Sequence, residues 1–281
     1  MMRGELTAVF FGLAAAASWG AGDFSGGVAT KRSHVYVVIL LSHIVGLVGL
    51  LALIGLFGEP FPALRDLGIG ALGGISGAIG VAALYTGLSR GRMGVVAPLT
   101  AVITGIVPVV FGLFTEGLPQ HYQLIGFGVA FLAVWLISND NGAAGLRWVD
   151  LQIPVVAGLG FGLFFVSIGE VSDNAILWPL VGARTASILM MTFLVLFARP
   201  GSRPGLAQLG VIALVGLTDT AGNAFFALAS SLGRLDIAAI LGSLYPATTV
   251  LLARIILDER LTRRQGIGVV TALIAVTLIA A

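Results

Sequence analysis

The stretch Leu67-Gly68-Ile69-Gly70-Ala71-Leu72-Gly73-Gly74 returns, without a gap, as Leu209-Gly210-Val211-Ile212-Ala213-Leu214-Val215-Gly216. At the same offset of 142 residues, Gly80 pairs with Gly222, Ala82 with Ala224, Ser89 with Ser231, Gly91 with Gly233, Arg92 with Arg234 and Leu99 with Leu241. Solenoid repeats run about 20–50 residues. A period this long in an apolar chain points instead to two copies of one membrane unit. Internally duplicated membrane proteins often place a solute site where the copies meet.

Composition supports a lipid environment. The chain is 58% hydrophobic and 10% charged, with a mean hydropathy of +1.05. Soluble domains carry about 25% charge, so these few charges could not clothe a water-facing surface. Glycine supplies 40 of the 281 residues, well above the usual share of about 7%. Small residues let helix backbones approach closely where no hydrophobic effect drives them together. Gly70/Gly74 and Gly73/Gly77 form two overlapping small-xxx-small pairs, read as helix packing or, more sharply, as a flexible gating helix. There is no cysteine, which excludes disulfides and thiolate metal sites. The net charge of +2 is spread over scattered Lys and Arg with no basic stripe, so nucleic acid is not an expected partner. No cofactor and no metal are expected.

Ten apolar stretches of bilayer-crossing length are read near 4–24, 35–57, 66–89, 93–115, 121–138, 151–171, 175–198, 205–231, 235–257 and 264–281. Arg3, the apolar run Leu6–Ala17 and Ala15-x-Ala17 have the outline of a signal peptide. The apolar character continues down the chain, however, and a first span is the simpler reading. Turn formers and charges mark the breaks, among them Gly58-Glu59-Pro60, Arg90-Gly91-Arg92, Arg199-Pro200-Gly201 and Asp258-Glu259-Arg260. The longest polar break, 139–150, reads as the linker between a first repeat at 1–140 and a second at 150–281. Five spans per copy is an odd number, so the second copy enters the membrane from the opposite side, as an inverted repeat.

Loop charges set the expected orientation. The side with both termini holds Arg3, Arg65 and Arg234. The other holds Lys31, Arg32, Arg90, Arg92, Arg147, Arg199, Arg203, Arg260, Arg263 and Arg264. Ten against three puts the second side in the cytoplasm and both termini outside a cytoplasmic membrane.

The residues carry a family resemblance. Ser18-Trp19-Gly20 with Phe24 resembles the opening of the EamA-type drug/metabolite transporters. So do Gly242-Ser243-Leu244-Tyr245-Pro246, Leu257-Asp258-Glu259-Arg260-Leu261, and Gly266 at the start of the last span. Arg184 resembles an arginine common in the second helix of each family repeat, and His43 lies near the matching place in the first. The first half departs from the pattern: Ile103 stands in the place of Pro246, and Glu116 lacks a following arginine. The resemblance implies an all-α membrane fold of ten transmembrane helices, arranged as two inverted five-helix repeats around a central cavity. It also implies transport, often export, of small metabolites including amino acids; amino-acid exporters of the YddG type belong to this group.

A solute site at the membrane midplane needs polar or aromatic groups facing inward. Trp19 reads as an interfacial anchor or a cavity wall, and its neighbours favour the wall. Phe164 and Phe165 hold the comparable place in span 6, where packing is the plainer reading. Tyr85 and Tyr245 carry hydroxyls that want partners when buried. Asn223 has no obvious local partner. Thr100, Thr104 and Ser243 offer hydroxyls, although such groups often bond back to their own helix. Pro98, Pro108 and Pro246 fall within expected spans and can kink them. Among ionisable groups, Asp219 and Arg184 lie well inside spans and can pair. Asp23 and His43 complete the candidates for proton coupling or ion pairing. A cavity of this make-up, with little fixed charge, suits zwitterionic or neutral metabolites, amino acids first, as the small-molecule partner; oligomeric state is left open.

An intramembrane enzyme is the competing class. Gly20-Ala21-Gly22-Asp23 spells a GxGD string, but the second aspartate of such proteases, which follows a tyrosine, is missing. The tyrosines precede Val37, Thr86, Gln123 and Pro246. There is no His-Glu-x-x-His helix, Gly-x-Ser-x-Gly elbow or Walker A loop. A receptor is the third class, but an inverted duplication suits alternating access better.

Overall fold

A computed structural model describes residues 2–89, 93–138, 148–201, 204–256 and 262–279. Every regular element among them is an α-helix: α1 (Met2–Thr30), α2 (Val35–Phe57), α3 (Leu64–Ser89), α4 (Met93–Thr115), α5 (His121–Ser138), α6 (Trp148–Ser172), α7 (Leu177–Ala198), α8 (Leu206–Leu232), α9 (Leu235–Gly242), α10 (Tyr245–Ile256) and α11 (Arg263–Ile279). Six segments are long and apolar enough to cross a membrane: Val35–Phe57, Leu64–Gly87, Gln152–Ser172, Leu177–Ala198, Leu206–Leu232 and Leu235–Ile256. Leu99–Thr115 and His121–Ile137 are shorter apolar helices. Large apolar side chains such as Leu56, Phe193 and Leu273 stud the outside. A helix in lipid can carry them there because its backbone bonds are all satisfied internally.

The helices pack mainly across the halves. α1 lies on α8 as α6 lies on α3, α2 on α8 as α7 on α3, and α4 on α6 as α9 and α10 lie on α1, while α5 meets α11 and α2 meets α7. The duplicated glycines explain how. A Cβ on Gly74 would run into the Ala183 carbonyl of α7; a Cβ on its counterpart Gly216 would run into the Ser42 carbonyl of α2. Only glycine allows backbones this close. The two small-residue stripes of α3 serve two neighbours. Gly70 and Gly74 face α7 at Pro179 and Ala183, whereas Gly73 and Gly77 face Ser167 and Phe164 of α6. This is the packing reading of that segment.

Two sequence expectations need correction. The ninth span is not one helix. The chain leaves α9 at Gly242, turns through Ser243 and Leu244, and restarts at Tyr245. Pro246 is therefore no kink inside a helix but the second residue of α10, where its missing N–H costs nothing because first-turn N–H groups have no intrahelical acceptor. α6 begins at Trp148, so the last residues of the expected 139–150 linker are helical. The rest of that linker lies outside the described residues. So do Arg90-Gly91-Arg92, Arg147, Arg203 and the stretch Leu257–Leu261.

Candidate functional site

The cross-half packing forms a partly open cavity of about 80 Å³, reckoned as room for the centres of water molecules. One buried water needs roughly 10–15 Å³ on that measure, so the space holds several waters or one small solute. α1 contributes Trp19 and Asp23, α2 His43, α3 Tyr85, α4 Thr104, α6 Phe164 and Phe165, α7 Arg184 and Ser187, α8 Asp219 and Asn223, and α10 Tyr245.

One wall is aromatic and locked. The Trp19 ring stacks on Phe165 at 5.1 Å between centroids, and Phe165 stacks on Phe226 at 4.3 Å. Gly222 and Gly242 leave room for the indole: a Cβ on either would approach it to 2.6 and 2.8 Å. Trp19 Nε1 donates to Asn223 Oδ1 at 2.9 Å across the halves. This is the partner that local sequence could not supply for Asn223. Trp19 is 9% exposed, which makes it a wall of the cavity and not an interfacial anchor. With its oxygen engaged, Asn223 keeps its amide N–H groups for other acceptors.

A second group of lining residues is charged. Arg184 pairs with Asp219 through Nη2, and the same nitrogen donates to Thr220 Oγ1 at 3.2 Å. Ser187 Oγ donates to the Arg184 carbonyl at 3.0 Å, one helical turn back. A hydroxyl has one proton, so at the 2.8 Å contact between His43 Nδ1 and Ser187 Oγ the imidazole is the donor. Neutral His43 therefore carries its proton on Nδ1. The expectation of a cavity with little fixed charge is thus corrected. Asp23, Asp219 and Arg184 all line it, because helices from both halves converge at one depth.

Ten of the candidate residues meet at this cavity: Trp19, Asp23, His43, Tyr85, Phe164, Phe165, Arg184, Asp219, Asn223 and Tyr245. Thr100 and Ser243 do not line it. Thr100 is fully buried beside Gly158, and Ser243 Oγ donates to Ala239 O at 2.7 Å within its own turn. Pro108 is buried in α4; Pro98 is in the same helix, its side chain outside the described residues. Thr104, a turn beyond Thr100, supplies the cavity hydroxyl of α4. Ser187 was the site residue least visible in sequence, although its spacing of three from Arg184 puts both on one helix face.

Carboxylates fasten one end of the bundle. Glu59, just past α2, accepts from the backbone N–H groups of Leu177 at 2.9 Å and Trp178 at 3.0 Å, capping α7 across the halves. Trp178 Nε1 returns a bond to the Glu59 carbonyl. Glu116, just past α4, accepts from Leu235 N–H at 3.1 Å at the start of α9. Arg234 donates to the Gly117 carbonyl and to Asp236, both at 2.8 Å. Burial pushes the Glu116 carboxyl above the ordinary carboxylate range, and the bond to Asp236 raises the Arg234 guanidinium further. Glu170 and Asp173 sit with Glu116 around a polar recess at this end.

Two consecutive matches to one family model, over residues 6–139 and 148–281, cover nearly the whole chain; the model is that of the EamA-like transporter family. The chain belongs to the EamA-like transporter family. It is a multi-pass membrane protein, and each EamA-like unit holds half of the bundle: α1–α5 in the first, α6–α11 in the second. A solved structure described only as "Crystal structure of protein" superposes with a TM-score of 0.78 at 13% identity, over 96% of this chain and 95% of that one. That likeness speaks for the fold alone. No curated protein matches the sequence. Because the EamA-like family is one of transporters, membership favours a carrier over the intramembrane enzyme.

Proposed function

We propose that this EamA-like protein moves small metabolites, amino acids first among them, across the cytoplasmic membrane by alternating access of its two halves. The observation that carries this reading is the cavity itself. Polar and charged groups are expensive in lipid, yet helices from both copies bring them to one shared space. Ten spans in two inverted sets of five, divided near 140–150, fit the cross-half packing, in which the main contacts made by one copy have partners made by the other. Rocking of one set against the other would expose the cavity to each side in turn. Trp19, Tyr85, Phe164, Phe165, Asn223 and Tyr245 are the proposed solute contacts, and Asp23, His43 and Asp219 the candidates for proton coupling. Export is the proposed direction, on the likeness to YddG-type exporters. The excess of Lys and Arg on the Lys31 side supports an orientation with both termini outside.

Counterflow of a labelled amino-acid panel into liposomes holding the purified protein tests the reading. Exchange of at least one amino acid is expected. Binding without flux would favour a receptor, and no exchange of any amino acid would move the substrate to another metabolite class. For coupling, charge-neutral variants at Asp23, His43 and Asp219 should alter the pH dependence of flux; unchanged profiles in all three would exclude it.

A further inference from the structure

The cavity holds two carboxyl groups, of Asp23 and Asp219, against one guanidinium. Arg184 is its guanidinium, already engaged by Asp219 and Thr220. Asp23 faces the same space, and among the described residues no donor reaches its carboxylate. Asp23 is thus a second carboxyl group in the cavity, beyond the one that Arg184 already pairs with. Two further groups stand unsatisfied: the hydroxyls of Thr104 and Tyr245 are buried, line the cavity and have no hydrogen-bond partner. Buried polar groups are nearly always paired. An unpaired carboxylate with two orphan hydroxyls, walled by Trp19 and Phe164, describes the complement of a missing solute.

We propose that this cavity takes small primary amines in their ammonium form, with Asp23 as the counter-ion and the aromatic wall receiving the apolar body. The proposal rests on the carrier reading above and, within its small metabolites, ranks primary amines ahead of amino acids. A primary ammonium has three N–H donors, and the cavity offers three acceptors for them in Asp23, Tyr245 and Thr104. Ammonium groups are also drawn to aromatic faces within about 6 Å. A quaternary ammonium has no N–H and would leave both hydroxyls unsatisfied. A zwitterionic amino acid brings a carboxylate as well. Arg184 Nη2, the nitrogen that would receive it, is already taken by Asp219 and Thr220, and the carboxyl groups of Asp219 and Asp23 share the space. Amines therefore outcompete the amino acids from which they differ by a carboxylate.

The test uses the full chain in liposomes and two matched pairs: tryptamine against tryptophan, and phenethylamine against phenylalanine. Counterflow of each labelled amine is expected to exceed that of its amino acid at least tenfold. Asp23→Asn is expected to cut amine exchange at least tenfold, and Asp23→Glu, which keeps the charge, to restore part of it. Amino acids exchanging as fast as the amines would overturn the amine proposal and leave the carrier standing. Wild-type amine exchange by Asp23→Asn would overturn the role of Asp23. If neither member of either pair exchanges, the amine proposal falls, and the broader panel decides the carrier reading separately. Should Asp23→Asn fail to yield monodisperse protein, the amine-against-zwitterion comparison on the unaltered chain decides alone.

Discussion

The two EamA-like copies build the same wall with different chemistry. At the offset of 142 residues, Asp219, Thr220 and Asn223 of α8 correspond to Gly77, Ala78 and Val81 of α3. Gly77, Ala78 and Val81 line the cavity on one side, and Asp219 and Asn223 line it on the other. Duplication thus fixed which helix faces meet, and divergence decided which face holds the polar groups. The fourth span shows the same split. Gly242-Ser243-Leu244-Tyr245-Pro246 breaks the second copy into α9 and α10, whereas Thr104, which the 142-residue offset sets against Pro246 in place of Ile103, keeps its N–H and α4 runs unbroken. A proline at that position cannot donate to the preceding turn, so the second copy alone presents a helix end to the cavity. Symmetric packing with asymmetric chemistry lets one half act as a frame for the other.

Substitutions at four places press on that asymmetry, some with a second variant as the comparison. The largest effect is expected where the polar half stores its charge. Asp219→Ala strands Arg184 in the interior and should cost about 3–5 kcal/mol, read as a lowered thermal midpoint in detergent, while the double variant with Arg184→Ala should recover part of the loss. Gly77, the counterpart of Asp219, bears no charge and offers no such cycle. Next comes the unbroken span. Thr104→Pro puts into α4 the residue that α10 carries and should cost about 3 kcal/mol, because α4 has no turn at that point to absorb it. A stable variant would mean that α4 is already broken in solution. Trp19→Phe removes the bond to Asn223 and leaves a buried acceptor, for about 1–3 kcal/mol. The corresponding Phe165 has no polar handle, so Phe165→Leu should spare the Asn223 environment, as amide signals in a labelled sample would report. The smallest stability change belongs to Pro246→Ile. It returns an N–H to a first turn that does not need one and should shift the midpoint by less than about 1 kcal/mol. If the break serves movement, exchange should slow while the midpoint holds.

Much of the site was legible, and the missing parts share a cause. The pairing of Arg184 with Asp219 could be read from two ionisable groups inside neighbouring spans, since lipid leaves each little choice but the other. Trp19 could be placed near the cavity from its small neighbours. Its bond to Asn223 could not, because the two are 204 positions apart and nothing local marks either as a partner. Thr100 and Ser243 are hydroxyl donors of the right kind, but whether they reach the cavity depends on the depth of α4 and on the turn after α9. Thr104, on the same face of α4 as Thr100 but one turn further on, lies at the depth of the cavity. Glu59 and Glu116 read only as span breaks. That each caps a helix of the other copy follows from where α7 and α9 begin in space.

The sequence by itself determined the duplication, the lipid environment, the glycine stripes and the ionisable groups that must find partners, because apolar length, small-residue spacing and buried charge are local properties with steep energies. The tertiary structure alone decided which groups share the cavity, that the ninth span is broken, and which helix ends are capped across the halves. Those depend on the rotation and depth of helices more than a hundred residues apart, and no local preference fixes either.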